Sequence, residues 1–143
     1  MRGTTIAHVH AATRLITEEM GVAAARCVDE DLRARVAAFR DRIDGNDSVA
    51  DIVRAETELA RLLAEMNGNP AVQLFIEIGY TFGREDHQTG FYQSLADRER
   101  ARALQRGLCD AVLAGDGEIA RLMMQRRSAT VTEWLARAEE QAV

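Results

Sequence analysis

AETELARLLAEMNGNPAVQLF, residues Ala55–Phe75, decides the fold. Leu59, Leu62, Leu63 and Met66, with Ile52 just upstream, recur at helical spacing and mark the buried face of an amphipathic helix. Asn67 and Gly68 stop it, because glycine takes up the left-handed backbone of a helix end without a steric penalty. Asn69-Pro70 starts the next helix: Asn offers a capping oxygen, and Pro occupies the first helical position, where its missing N–H is not needed. The following Val72, Leu74, Phe75, Ile76 and Ile78 are apolar on most sides, out to about Phe82. That pattern predicts a central helix or one shared with a partner subunit.

The same punctuation continues on both sides. Toward the N-terminus, Asp47 or Ser48 caps this third helix and Gly45 ends a second one. The second helix follows the cap Asp29 and carries Leu32, Val36, Phe39 and Ile43 at i, i+4, i+7, i+11. A first helix runs from about Ile6 to Cys27. Toward the C-terminus, Gly83 to Gly90 reads as a polar loop containing His87. A fifth helix then spans roughly Ser94 to Ala114, and a sixth starts after the cap Asp116 and runs to about Glu140, with Trp134 near its far end. With ten Gly, a single Pro and no run of alternating β-branched residues, the fold class is all-α, an antiparallel bundle of about six helices. A length of 143 residues suits one domain, 1–143, burying roughly two thirds of its unfolded surface.

Composition narrows the function. A net charge of −5 disfavours a chain that binds nucleic acid by neutralising many phosphates. Cys27 and Cys109, the only cysteines, fit neither a disulfide framework nor a zinc pattern. No apolar run approaches the ~20 residues of a membrane span and nothing resembles a signal peptide, so a cytoplasmic protein is expected. No Ser/His/Asp or Cys/His nucleophile and no phosphate-binding glycine loop is visible, so enzymatic activity is not expected.

In such a bundle the informative residues are polar ones standing where the period demands an apolar one, since a buried charge is expensive unless paired. On the sixth helix Ala120, Met124, Val131 and Leu135 form a stripe in which Arg127 fills the missing turn. On the fifth, Gln105 interrupts Ala101, Leu108 and Val112. Arg127 is either an anion-binding group in an internal pocket or an arginine that snorkels to solvent or pairs with an acid. Gln105 is either a ligand contact or an interhelical hydrogen bond. His8 and His10, at i, i+2, point to different sides of a helix and make no metal pair. Glu56 and Glu58, also at i, i+2, read as a solvated face.

Three stretches together resemble the FCD ligand-binding domain of the FadR branch of GntR-type bacterial transcription regulators. RLITEEMGVAAARCVDEDL (Arg14–Leu32) resembles its opening helix. Ala55–Phe75 resembles its helix, Gly-Asn-Pro break and next helix. LQRGLCDAVLAGDGEIARLMMQRR (Leu104–Arg127) resembles its paired C-terminal helices, joined at the corner Ala114-Gly115-Asp116. Many relatives hold a divalent metal with an aspartate and three histidines. Counted from Asn69, two of those positions fall on Ala55 and Leu59; counted from Asp116, the others fall on Gln105 and Arg127. All four ligands are missing, which resembles metal-free members that bind organic ligands directly.

The resemblance therefore implies an effector-sensing domain that forms a homodimer and binds a small anionic organic ligand, an organic acid or acyl compound, without cofactor or metal. Arg127 would be its positive centre and Gln105 a neighbouring hydrogen-bonding group, with Ala55, Leu59 and Met124 as the apolar wall and Arg14 as a second charge. A winged helix-turn-helix is not seen in this chain, so DNA is expected to be reached only through a separate module. Two alternatives stand beside this: a structural dimerisation module whose pocket has filled with side chains, with Arg127 in an ion pair, or the ligand domain of another helical repressor.

Overall fold

Ser48 begins the helix that carries the decisive stretch. Its hydroxyl accepts from the Asp51 amide at 3.0 Å while the Asp51 carboxylate accepts from the Ser48 amide, a reciprocal capping box. Gly68, at φ +76°, ends that helix in the left-handed conformation. Asn69 Oδ1 then accepts from the Ala71 amide at 3.0 Å, starting the next helix with Pro70 in its first turn.

The computed structural model describes residues 6–83 and 91–141. They form an all-α bundle: α1 (Ile6–Arg26), α2 (Glu30–Arg42) followed by a 3-10 turn at Ile43–Gly45, α3 (Val49–Asn67), α4 (Pro70–Gly83), α5 (Leu95–Leu113) and α6 (Gly117–Gln141). No strand occurs among the described residues. The expected caps Asp29, Ser48 and Asp116 each accept a hydrogen bond from the first turn of their helix. Of the expected polar loop, everything beyond Gly83 lies outside the described residues, His87 included. His8 is exposed, whereas the His10 side chain lies outside what is described. No described helix is long and apolar enough to cross a membrane.

The most extensive packing is between α1 and α6. A Cβ on Gly21 would stand 2.6 Å from Met124 Cγ and 3.3 Å from the Ala120 carbonyl oxygen, so α1 approaches α6 as closely as glycine allows. Ala24, Ala25 and Ala120 are buried along the same contact. Arg33 of α2 closes one end of the bundle. Its Nη1 donates to the carbonyls of Cys27 (3.4 Å) and Val112 (3.2 Å), and its Nη2 donates to that of Leu113 (2.6 Å). One guanidinium thus ties C-terminal carbonyls of α5 to the turn after α1.

Two apolar clusters fill the interior. The larger joins Met20, Phe39, Leu59, Leu63, Leu108 and Met124; the smaller joins Ile52, Phe91, Tyr92, Ala101, Trp134 and Leu135. Phe91, Tyr92 and Trp134 pack ring against ring, and Trp134 Nε1 donates to Asp97 at 3.2 Å.

Of the two expected placements of the fourth helix, central or shared with a partner subunit, the helix does not take the central one. Ile76 is buried and Val72 partly so, but Leu74, Phe75 and Ile78 are exposed, and α4 lies at the edge against α3 and α1. An excess of apolar residues indicates two apolar faces without indicating that both are covered within the chain.

Candidate functional site

Between the two apolar clusters lies a polar layer built from one residue on each of three helices. On α3, Glu56 stands between Ile52 of the smaller cluster and Leu59 of the larger. On α5, Gln105 stands between Ala101 and Leu108, and on α6 Arg127 stands between Met124 and Val131, in the same relation. Each stands three residues from the neighbour in one cluster and four from the neighbour in the other, so the helical period brings all three to one level.

The geometry is tight. Arg127 donates to Glu56 Oε2 from Nε at 2.9 Å and from Nη2 at 2.7 Å, and Gln105 Nε2 donates to Glu56 Oε1 at 2.8 Å. Gln105 is only 2% exposed and Glu56 7%. The Arg127 side chain keeps 25% of its surface. Both carboxylate oxygens thus receive charge-assisted or amide hydrogen bonds, and the pair carries no net charge. Gln105 Oε1, by contrast, is buried without a hydrogen-bond partner. The amide cannot resolve this by flipping, since that would turn its oxygen toward a carboxylate.

Gln105 and Arg127 therefore come together as expected, with a third residue the sequence reading placed elsewhere. Glu56 was expected on a solvated face; it is buried, because it occupies the turn between Ile52 and Leu59 at i+4 and i−3. The i, i+2 relation to Glu58 obscured that signal, and Glu58 itself pairs with Arg42 at 2.7 Å on the surface. Ala55 and Leu59 are buried in the larger cluster with Met124 and supply apolar surface. The acid that faces Arg127 is one residue beyond Ala55. Arg14 is exposed on α1, outside the buried layer, so the second charge assigned to it does not point into the interior.

One carboxylate already bound by a guanidinium, plus one amide oxygen, does not fit a divalent cation. Ala55 and Leu59 carry no donor, and the Arg127 charge repels a metal from the same point. Among the described residues no three His, Cys, Asp or Glu side chains could jointly hold a metal ion.

A separate groove of about 760 Å³ opens at the corner between α5 and α6, lined by Val22, Arg26, Asp116, Glu118 and Arg121 among others. Asp116 lies eleven positions before Arg127, roughly 16 Å along the helix axis, so this groove is distinct from the polar layer. Its two basic and two acidic side chains balance.

Comparison with protein-family models, with curated proteins and with solved structures finds no match to this chain.

Proposed function

We propose that the chain is the effector-sensing and dimerising domain of a GntR-type regulator of the FadR branch, working without a metal and taking up a small organic acid or acyl compound. One observation carries this reading. Gln105 and Arg127, both within the C-terminal stretch that carries the family resemblance, meet in a single buried layer, and Gln105 Oε1 is left there as an unpartnered acceptor. An orphaned buried acceptor costs about 1–3 kcal/mol, which a hydrogen-bond donor on a bound effector offsets. Ala55, Leu59 and Met124 supply the adjacent apolar wall. Because Glu56 already holds the guanidinium, an effector anion competes with an internal carboxylate for Arg127. Its binding separates α3 from α6 at this level, a helix displacement that a DNA-reading module attached to the domain would sense.

Thermal shift and calorimetry with organic acids and acyl-CoA thioesters test the proposal. Wild type is expected to be stabilised by at least one anionic compound. Glu56→Gln, which removes the competing charge, is expected to bind that compound more tightly, and Arg127→Ala to lose it. Identical responses of wild type and Arg127→Ala to every compound would refute the role of Arg127.

The Glu56–Arg127 pair itself favours a second reading, a dimerisation module whose interior is closed by a structural ion pair. No stabilisation of any variant by any anion, together with a large loss of stability on breaking the pair, is the outcome that selects it.

A further inference from the structure

Two buried acceptors set the terms on which the polar layer can open. Arg127 donates from Nε and Nη2 to the same oxygen, Glu56 Oε2, at 2.9 and 2.7 Å, while Gln105 Nε2 holds Oε1 at 2.8 Å. A ligand carboxylate that takes the guanidinium therefore removes both of these bonds from Oε2 and leaves a buried carboxylate without that counter-charge. Beside it, Gln105 Oε1 is a buried acceptor that has no hydrogen-bond partner. A plain anion answers neither oxygen, since it brings a further negative charge into the layer and no donor.

We propose that the ligand of this layer is a zwitterion, a free α-amino acid with an apolar side chain, whose carboxylate takes Arg127 and whose ammonium serves Glu56 Oε2 and Gln105 Oε1. The inference rests on the layer being an effector site, as proposed above, and names the class of effector among the small organic acids.

Three features select this class. The first is charge. Glu56 and Arg127 carry no net charge as a pair, and neither does a zwitterion, so every charge keeps an opposite partner when the amino acid stands between α3 and α6. The second is donor count. An ammonium has three N–H groups and meets both oxygens at once, whereas the hydroxyl of a hydroxy acid has one and leaves one of the two unmet. The third is reach. Gln105 holds one oxygen of the Glu56 carboxylate at 2.8 Å and Arg127 the other at 2.7 Å, so the positive and negative groups of the ligand must sit a few atoms apart. In an α-amino acid they share one carbon. Ala55, Leu59 and Met124 give the ligand side chain an apolar wall, while the partly exposed Arg127 gives the carboxylate its approach from solvent.

Calorimetric titration of the full chain at neutral pH with L-alanine, L-valine, L-leucine and L-methionine tests this, each beside the matching deamino acid, hydroxy acid and amine. At least one amino acid is expected to bind wild type at least about tenfold more tightly than each of its three analogues. Glu56→Gln is expected to reverse the order, weakening the amino acid by at least about tenfold while binding the deamino acid at least as tightly as wild type does. Circular dichroism melts check that this isosteric variant keeps its fold, and the wild-type comparison needs no variant. A deamino or hydroxy acid that binds wild type as tightly as the amino acid overturns the zwitterion while leaving Arg127 as an anion site, as does an unchanged preference in Glu56→Gln. An organic acid or acyl-CoA thioester that binds when no amino acid does has the same consequence. Binding of none of these compounds overturns both this inference and the effector site on which it rests.

Discussion

Arg127 on α6 grips a single oxygen of Glu56 on α3 with two nitrogens, at 2.9 and 2.7 Å, and leaves the second oxygen to Gln105. The two partners are unequally buried, with side-chain exposures of 25% for Arg127 and 9% for Glu56. Removing the guanidinium strands a buried carboxylate, whereas neutralising the carboxylate leaves a guanidinium whose head can swing to water. Arg127→Ala is therefore expected to cost about 3–5 kcal/mol and the isosteric Glu56→Gln only about 1–3 kcal/mol. Urea unfolding of the two variants measures the difference, and the reverse order would place the buried end of the pair on the wrong residue.

Arg33 predicts a second, distant weak point. Its three carbonyl partners sit at the end of α5 and the turn after α1, and of these Val112 also accepts from the Gly115 amide at 3.1 Å. Truncation to alanine is expected to lower stability by about 1.5–3 kcal/mol, the range for hydrogen bonds to charged groups. Lysine is expected to recover only part of it, because an ammonium on a flexible stem cannot reproduce the planar fork. Hydrogen exchange of the amides around residues 110–116 should speed up in Arg33→Ala before global unfolding.

The α1–α6 contact yields a contrast between two glycines. In Gly21→Ala the new methyl meets Met124 Cγ at 2.6 Å and the Ala120 carbonyl oxygen at 3.3 Å, and only the methionine can move aside. Overpacking of this kind costs about 1–3 kcal/mol. Gly45→Ala meets nothing within 4 Å and has an ordinary negative φ, so it is expected to be neutral or stabilising by up to about 1 kcal/mol. Thermal melts of the pair give the sign of each directly.

Cys109 supplies a pH dependence. Burial, with a smaller contribution from the neighbouring Asp110 carboxylate, pushes its thiol up from the usual 9.0 to about 12. The unfolded chain releases this proton above pH 9.0 while the folded chain keeps it until about pH 12, so stability falls across that window. The slope from this group approaches about 1.4 kcal/mol per pH unit. Cys109→Ala removes that component. If the wild-type and Cys109→Ala urea midpoints fall in parallel between pH 9.0 and about 12, the thiol is not buried as described.

Punctuation made most of the fold legible in the sequence. Asp29, Ser48, Gly68, Asn69-Pro70 and Asp116 each act locally, through one side-chain oxygen or one backbone angle, and each sits where its chemistry required. Gln105 and Arg127 were legible for a related reason, as polar residues on otherwise apolar helical stripes. Glu56 obeys the same rule on the stripe of Ile52, Leu59 and Leu63, but its proximity to the surface residue Glu58 masks that position in the sequence. The position of α4 was legible only as two alternatives, central or shared with a partner, because a helix with two apolar stripes does not say which one its own chain covers. The Arg33 tie was not legible, since its partners at residues 112 and 113 are brought to it only by tertiary packing.

Everything proposed for the interior depends on Glu56 and Arg127 being energetically coupled. A double-mutant cycle of Glu56→Gln, Arg127→Met and the two together, followed by urea unfolding at neutral pH, measures that coupling with the rest of the layer in place. A favourable coupling above about 1 kcal/mol is the predicted result. Additive losses, with a coupling within about 0.5 kcal/mol of zero, would show that the two charges do not meet in the folded protein and would contradict the account.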